Sequence, residues 1–241
     1  MTDRLDPEEL AELWNFGDPA LSESRFRGAI VAGGSGQLRT LELQTQLARS
    51  LGLQGKFDEA VAVLDSVESS DARVLARVFL ERGRVLNSSG HPNDAIPFFE
   101  KAQGHAQDAG DSYLEVDAYH MMAIADADNS EKWMRLGLAI AESSEDKRTR
   151  GWRGALHNNL AWNLHDAGEF APALTEFELA RDVFEETGTP EQVHIAWWSV
   201  ARCLRSLGRR EEALAIQRRL AADDPLDEYV AEEIEELTKT A

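Results

Sequence analysis

Polar side chains that could do chemistry are densest in the segment HNNLAWNLHDAGEF, residues 157–170. Histidine is a common metal ligand, but His157 and His165 are eight residues apart, about 12 Å along one helix. One ion cannot bind both imidazoles without further ligands between them, and neither an HExxH nor a CxxC motif accompanies them. We therefore predict no metal site and interpret His157 as a core residue.

Two other features bear on catalysis and cofactor binding. RGAIVAGGSGQ, residues 27–37, is glycine-rich like a phosphate-binding loop, but such a loop follows a strand and carries a lysine after its last glycine. Here a predicted helix precedes it and Gln37 stands in the lysine position. Cys203 has no evident catalytic partner, and a free cysteine often acts as a small buried hydrophobe. We predict a linker, a structural cysteine, no cofactor and no catalytic residues.

The charge balance argues against several classes of partner. The formal net charge is −19, from 44 acidic and 25 basic residues. Binding to phosphate backbones and anionic membranes depends on clustered Lys and Arg, so we expect neither nucleic acid nor membrane as a partner. The N-terminus MTDRLDPEEL lacks the apolar core of a secretory signal, and no apolar run approaches the ~18 residues of a membrane span. With a single cysteine, we expect a cytoplasmic protein.

The chain repeats itself. The turn residues of successive units are spaced by 35, 39, 39 and 40 residues. They are Gly55, Gly90, Asn129, Gly168 and Gly208. Apolar or small residues recur seven and four positions before each turn, and alanine recurs five positions after it, except at Met134. Because glycine, and less readily asparagine, accepts positive φ, each unit is predicted to be two helices joined by a tight turn. Met134 predicts looser packing in the third unit.

This periodicity, with no sustained alternation of period two, predicts an all-α fold. We predict helices at roughly 7–15 and 18–32, five helix pairs from 37 to 222, and a last helix near 226–239. The corresponding divisions are an N-terminal helical cap (1–36), five repeats (37–70, 71–109, 110–146, 147–188 and 189–222) and an acidic C-terminal capping helix (223–241).

The pattern resembles the tetratricopeptide repeat family over about 185 residues. The second unit carries the family's apolar and small positions as Phe79, Gly83, Leu86, Gly90, Ala95 and Phe99. Most units exceed the family's usual ~34 residues. Their length, and the string ALHNNLAWNLHDAGEF, are similar to the longer repeats of kinesin light chains and bacterial peptide-sensing regulators. The resemblance implies a right-handed superhelical solenoid whose concave groove binds proteins or peptides.

In this family, one stripe of the first helix of each repeat lines the concave surface. Arg, Trp and Tyr are enriched at binding hot spots, and Asn can pair with a peptide backbone. The corresponding residues here, called the helix-A stripe below, are Arg49, Arg84, Tyr119, His120, Asn158, Asn159, Trp162, His165, Trp198, Arg202 and Arg205. The stripe predicts a protein or peptide partner with acidic and apolar side chains.

Several alternatives stay open. The main hypothesis is a scaffold or adaptor without catalysis. The alternatives are a peptide-sensing regulator of a partner enzyme or transcription factor, and a small-molecule binder or enzyme hidden in the groove. Stripe residues such as Trp198 could instead pack on the chain itself. The last helix, with Tyr229, Val230, Ile234 and Leu237 on its apolar face, could cap the array or occupy the groove as a plug. Neither the partner's identity nor the oligomeric state is predicted.

Overall fold

The chain is built from helices. A computed structural model describes residues 3–33 and 36–239, and within these ranges it contains α-helices and one short 3₁₀ helix but no strand. The helices are α1 (Pro7–Leu13), α2 (Pro19–Ala32), α3 (Gln37–Leu53), α4 (Phe57–Asp65), α5 (Ala72–Ser88), α6 (Pro92–Asp108), α7 (Ser112–Ala125), α8 (Ser130–Ser143), α9 (Lys147–Asp166), α10 (Phe170–Thr187), α11 (Pro190–Ser206), α12 (Arg210–Asp223) and α13 (Glu228–Thr238). The predicted all-α repeat solenoid is confirmed.

The helices form two compact units, residues 1–133 and 134–241, with the division inside α8. The third repeat, which contains α8, is also the one that departs most from the repeat pattern. The first six residues of the glycine-rich segment, 27–32, form the end of α2, and Gln37 begins α3. A helix, and not a strand, therefore leads into the glycines. Gly34 and Ser35, in the middle of that segment, lie outside the described residues.

Four of the five repeat turns share one backbone geometry. Gly55, Gly90, Gly168 and Gly208 have φ values of 74°, 88°, 81° and 76°. At the first turn, the Lys56 amide donates to the Leu51 carbonyl at 3.0 Å and the Gly55 amide donates to the Gly52 carbonyl at 3.0 Å. This is the Schellman arrangement, which satisfies the last carbonyls of a helix and requires a left-handed residue. Each glycine therefore ends the first helix of its pair.

The third turn is built differently, and the prediction of a left-handed Asn129 is wrong. Among the described residues, only glycines have positive φ. Asn129 ends a 3₁₀ helix, Ala127–Asn129, and the chain changes direction at Asp126, with φ −116° and ψ 76°. The Asp126 carboxylate accepts bonds from Asn129 Nδ2 at 3.0 Å and Trp133 Nε1 at 2.9 Å. Side-chain hydrogen bonds hold this turn, so no residue has to adopt a left-handed conformation.

Small residues let the two helices of a pair approach closely. Ala60, Ala95, Ala173 and Ala213 are fully buried, and Met134, at the same repeat position, is also buried. Gly83 on α5 faces Phe99 on α6, and a Cβ built on Gly83 would lie within 3.0 Å of several atoms of that ring. The absence of a side chain at Gly83 therefore makes room for the aromatic ring.

Gly83→Ala should lower the free energy of unfolding by about 1–3 kcal/mol, because the new methyl group overpacks against Phe99. Urea denaturation followed by circular dichroism measures the change. Gly104→Ala is the matched control, since it lies within α6 with nothing within 4 Å of its added Cβ. It should stabilise the chain by about 0.5–1 kcal/mol through helix propensity. Equal effects from the two substitutions would contradict this account of the α5–α6 contact.

The last repeat has a polar side chain at a core position that is apolar in the other four repeats. Nine residues after each turn, the second helix buries Leu64, Phe99, Leu138, Phe177 or Gln217. Gln217 on α12 is 0% exposed, and neither its Oε1 nor its Nε2 has a hydrogen-bond partner among the described residues. A buried amide left without partners costs free energy that an apolar side chain of similar size would not. Gln217 therefore gives the last repeat a lower free energy of unfolding than an apolar side chain of similar size would give.

Gln217→Leu should raise the free energy of unfolding by about 1–2 kcal/mol, because it removes two buried polar atoms without partners. Thermal denaturation detects the change as a higher Tm. Gln107→Leu, on the exposed side of α6, is the control and should change stability by less than about 0.5 kcal/mol. A lower Tm for Gln217→Leu would mean that the buried amide is stabilising.

Candidate peptide-binding surfaces

In the first unit, α3, α5 and α7 bring predicted stripe residues together around a buried charge cluster. The Arg84 guanidinium on α5 donates to Glu81 on the same helix and to Asp117 on α7, each at 2.5 Å. Burial disfavours the charge on Arg84, but these two carboxylates outweigh it and raise the pKa of Arg84. Arg84 therefore links two neighbouring repeats through a largely buried ion pair.

The charge state of this cluster follows from its geometry. Burial raises the pKa of Asp117, but the guanidinium groups of Arg84 and Arg49 outweigh that effect and lower it, so the carboxylate is charged at neutral pH. Burial lowers the pKa of His120, and the two arginines oppose the effect of Asp117 on it. His120 is accordingly neutral at pH 7.

Asp117 is a site residue that the sequence interpretation missed. Its position twelve residues before the turn is occupied by apolar residues in the other four repeats, Leu43, Val78, Leu156 and Ala196. A single acid in an otherwise apolar repeat position is the signal that could have identified it. The signal would still not have named Arg84 as its partner, because that contact joins helices 33 residues apart along the chain.

Arg49 and Tyr119 have different surroundings. The Arg49 guanidinium carbon lies 5.5 Å from the Trp14 ring centroid and 5.4 Å from that of Phe16. Tyr119 is half-buried, and its ring stacks on Trp133 with a centroid distance of 6.2 Å. Burial, with a smaller effect of Glu115, raises the pKa of Tyr119. The aromatic contribution of the N-terminal segment around Arg49 was not predicted.

In the second unit, the stripe forms an aromatic row on α9 and α11. The Trp162 ring lies 4.9 Å from Phe177, 5.3 Å from His165 and 6.1 Å from Trp198, measured between ring centroids. Trp198 in turn meets Tyr229 of α13 edge-on at 6.5 Å. The row therefore runs from the fourth repeat to the C-terminal helix.

Polar atoms accompany this aromatic row. Asn158 Oδ1 and Trp198 Nε1 are both buried without a hydrogen-bond partner among the described residues. The Asn158 and Asn159 side chains are each partly exposed. His165 Nε2 lies 2.9 Å from the Ser206 hydroxyl, so this histidine has a partner on α11. The row thus combines large apolar surfaces with the Asn158 amide oxygen, which has no hydrogen-bond partner among the described residues.

The stripe arginines of the second unit pair with the C-terminal helix. Arg205 donates to both carboxylate oxygens of Glu233, at 2.7 and 3.1 Å, and Arg202 Nε lies 3.1 Å from the same carboxylate. Glu233 is 7% exposed, so one acidic side chain of α13 is buried against both arginines. The chain itself supplies the carboxylate that the stripe predicts for a ligand.

The C-terminal helix also covers the core of the last repeat. Val230 and Leu237 are buried, and Leu237 joins the cluster that contains Cys203 and Leu204. Arg210 donates to three main-chain carbonyls at the end of α13. Tyr229, predicted on the apolar face, is 71% exposed. Helix α13 therefore both caps the repeat through apolar residues and meets the helix-A stripe through Glu233.

Cys203 and His157, which the sequence analysis considered for catalysis and metal binding, lie in the fold next to hydrogen-bonding partners. Burial, with a smaller effect of Glu178, raises the pKa of Cys203 to about 11, and its Sγ donates to the Phe170 carbonyl at 3.3 Å. His157 is buried, and its Nδ1 lies 2.6 Å from Glu176 Oε2. Within the described residues, no group of three His, Cys, Asp or Glu side chains could hold a metal ion. None of the helices described is long and apolar enough to cross a membrane.

Family comparisons agree with the repeat pattern. A tetratricopeptide repeat model matches residues 158–228, which include the aromatic row, and a second matches residues 41–66. These two segments are therefore matched as tetratricopeptide repeats. Proteins of this family are generally scaffolds for protein interactions without catalysis of their own.

The fold is similar to those of several solved structures with repeats of this kind. It is similar to the nearly identical TPR-like repeats of a kinesin light chain-like protein from Podosopora anserina, with 20% identity and a TM-score of 0.58, covering 76% of this chain and 93% of that one. It is also similar to BtubC (BKLC) from P. vanneervenii, with 14% identity and a TM-score of 0.64, covering 88% and 90% respectively. At these identities the likeness shows the fold alone. No curated protein matches the chain.

Proposed function

We propose that this protein is a scaffold or adaptor that binds a protein or peptide through its helix-A stripe and has no catalysis of its own. The observation that carries the proposal is the aromatic and amide row of the second unit. Trp162 and Trp198 lie side by side, with Asn158 and Asn159 on the same helix as Trp162. Apolar faces beside side-chain amides suit an extended peptide, which offers side chains and main-chain hydrogen-bonding groups together.

The proposed partner carries acidic and apolar side chains, and we propose the cytoplasm as its compartment. A chain with net charge −19 repels polyanions, which supports a protein partner over nucleic acid or an anionic membrane. Among the stripe arginines, Arg84, Arg202 and Arg205 already pair with carboxylates of the chain, so an acidic ligand would have to compete with those carboxylates. Cys203, the single cysteine, is a buried free thiol, consistent with a reducing compartment.

A random dodecapeptide library displayed on phage, selected on the full chain, should yield peptides that bind the stripe. Asn158→Ala combined with Asn159→Ala should weaken the selected peptides about tenfold, because two hydrogen-bonding amides are lost. Fluorescence polarisation measures the Kd, and circular dichroism verifies the fold. Thr175→Ala with Glu178→Ala, at exposed positions of α10, is the control and should bind like the wild type. Failure to select any peptide, or wild-type affinity of the asparagine variant, would contradict the proposal.

One observation favours a regulatory form of this function, in which peptide binding is passed on to a partner enzyme or transcription factor. Glu233 of α13 occupies Arg202 and Arg205 in the way a ligand carboxylate would. A ligand that displaced Glu233 would loosen the docking of α13 while Leu237 still anchored it. Binding at the stripe would then alter the surface that the C-terminal helix presents.

Glu233→Gln tests this form. The substitution removes the charge that compensates two partly buried arginines, so the free energy of unfolding should fall by about 1–3 kcal/mol. If α13 competes with the ligand, the affinity for the selected peptides should rise at the same time. Glu232→Gln, on the exposed side of α13, is the control and should change neither quantity. Lower stability with unchanged affinity would leave α13 as a cap and exclude the regulatory form.

A further inference from the structure

A cavity of about 560 Å³ lies in the last repeat, apart from the helix-A stripe. This volume is within the range of sites that hold small molecules, about 300–1,000 Å³. One side of the cavity is formed by α11 and the link before it, and the other by the end of α12 and the link after it. None of its lining residues belongs to the stripe, and they include Val193, His194, Trp197, Arg219, Asp223 and Asp224.

The cavity is open because the second helix of the last repeat is short. Helix α12 ends at Asp223, fifteen residues after the turn glycine Gly208, whereas α6 ends eighteen residues after Gly90 and α10 ends nineteen residues after Gly168. The last repeat therefore lacks about one turn of helix that the second and fourth repeats have. The cavity lies at the end of α12, where that turn would continue.

In the second and fourth repeats, an aromatic side chain near the end of the second helix packs at the corresponding position. His105, fifteen residues after its turn, stacks on Phe79 with a centroid distance of 5.4 Å and planes 5° from parallel. Phe184, sixteen residues after its turn, packs so closely on Gly154 that a Cβ there would lie 2.7 Å from the ring. The residues at these two positions of the last repeat are Asp223 and Asp224. Two aspartates therefore stand where these repeats place a ring against the first helix.

Trp197 is the aromatic residue that remains at the cavity. It has the repeat position of Phe79, eleven residues before the turn, and in both repeats a cation lies over the ring. The Arg219 guanidinium carbon lies 4.1 Å from the Trp197 centroid, and Lys101 Nζ lies 5.5 Å from that of Phe79. Arg181 also lies over Trp197, at 4.7 Å. An aromatic ring that enters the cavity is therefore expected at the edge of Trp197, where edge-to-face contact is favourable.

The charges that line the cavity favour a cation. The Asp223 carboxylate forms no hydrogen bond or ion pair among the described residues, and that of Asp224 accepts only the Leu226 amide, at 3.1 Å. His194 is held by Asp227 at the start of α13, with 2.8 Å between Nε2 and Oδ2. The lining contains one arginine and two aspartates, and the arginine already lies over Trp197. A positively charged group is the complement of this lining.

We propose that this cavity binds a small molecule that joins an aromatic ring to a cationic amine. The ring takes the place that an aromatic side chain fills in the second and fourth repeats, beside Trp197 and Val193, and the ammonium group binds the carboxylates of Asp223 and Asp224. Because both aspartates are exposed, each ion pair contributes modestly, and burial of the ring supplies most of the affinity. The site is separate from the helix-A stripe, so it does not depend on peptide binding there.

Phenethylamine, a phenyl ring on a short chain that ends in an ammonium group, is the probe. Two compounds each lack one half of it: 2-phenylethanol has no charge, and butylamine has no ring. Titration of the ¹⁵N-labelled full chain, followed by NMR, measures the Kd of each compound. Phenethylamine should bind with a Kd of about 1 mM or lower, and each of the other two should bind at least about threefold more weakly.

Removal of the two carboxylates tests the position of the amine. Asp223→Asn combined with Asp224→Asn should weaken phenethylamine about three- to tenfold, the range for exposed ion pairs, and leave 2-phenylethanol unchanged. Asparagine keeps the oxygen that accepts the Leu226 amide, so the link after α12 is retained. Glu211→Gln with Glu232→Gln removes the same net charge from exposed positions of α12 and α13. This matched control should bind phenethylamine like the wild type.

Two further variants test the position of the ring. Val193→Phe fills the cavity with a ring of the chain itself and should abolish binding of phenethylamine and 2-phenylethanol alike, with the fold verified by circular dichroism. If this variant does not fold, the aspartate variant and the two partial compounds still decide the question. Asn158→Ala with Asn159→Ala, in the helix-A stripe, should bind phenethylamine like the wild type.

The outcomes separate this inference from the proposed function. No binding of phenethylamine, equal binding of butylamine, or wild-type affinity of the aspartate variant would each overturn the cavity site. Loss of phenethylamine binding in the asparagine variant would also overturn it, because the compound would then lie in the stripe. Failure to select any peptide, with phenethylamine binding intact, would overturn the proposed function and leave the cavity site standing.

Discussion

The close approach of the two helices in each repeat is the constraint on which the rest of this structure depends. In four of the five repeats it combines a left-handed glycine that ends the first helix with an alanine where the helices cross, whereas the third repeat has the Asp126 turn and Met134 instead. Gly90 and Ala95 meet both conditions in the second repeat, and Gly83 makes room for the Phe99 ring. Once the pair is this tight, its first helix has one face committed to its partner and another that must meet a neighbouring repeat or solvent.

The second face of the first helix can carry arginines because carboxylates of the same chain lie beside them and neutralise their charge. Arg84 is buried with Glu81 and Asp117, and Arg202 and Arg205 share Glu233. Removing one partner from such a group leaves a buried charge uncompensated, which is why these pairs join helices firmly. Most of the arginines that the sequence assigns to a ligand therefore already have carboxylate partners within the chain.

This internal pairing sharpens the proposed function. A ligand that binds Arg202 must compete with an internal carboxylate, whereas Arg49 is contacted by the rings of Trp14 and Phe16. The aromatic row around Trp162 and the stacked rings of Trp14 and Phe16 provide the apolar surfaces that charge pairing cannot. Recognition would then combine a few charged contacts with larger apolar ones, the usual distribution of energy at a protein interface.

Sequence alone determined the repeat, the helix pairs and the position of the turns, because these depend on interactions within about 20 residues. The 3.6-residue apolar periodicity, the glycines at Gly55, Gly90, Gly168 and Gly208, and the alanines five positions later are local signals. The same reasoning failed at Asn129, where the Asp126 carboxylate holds a turn that needs no positive φ.

Only the tertiary structure decided which charges are already paired. Which acid lies opposite an arginine depends on how successive repeats stack, and that contact joins residues 33 apart for Arg84 and 28 apart for Arg205. The sequence placed Arg49, Arg84 and Arg202 in one repeat position as equivalents. Stacking gave two of them an internal carboxylate and gave Arg49 two aromatic rings instead. The position of a residue within its repeat predicts where its side chain lies on the helix. Its partners depend on contacts between residues far apart in the sequence, which a local pattern does not predict.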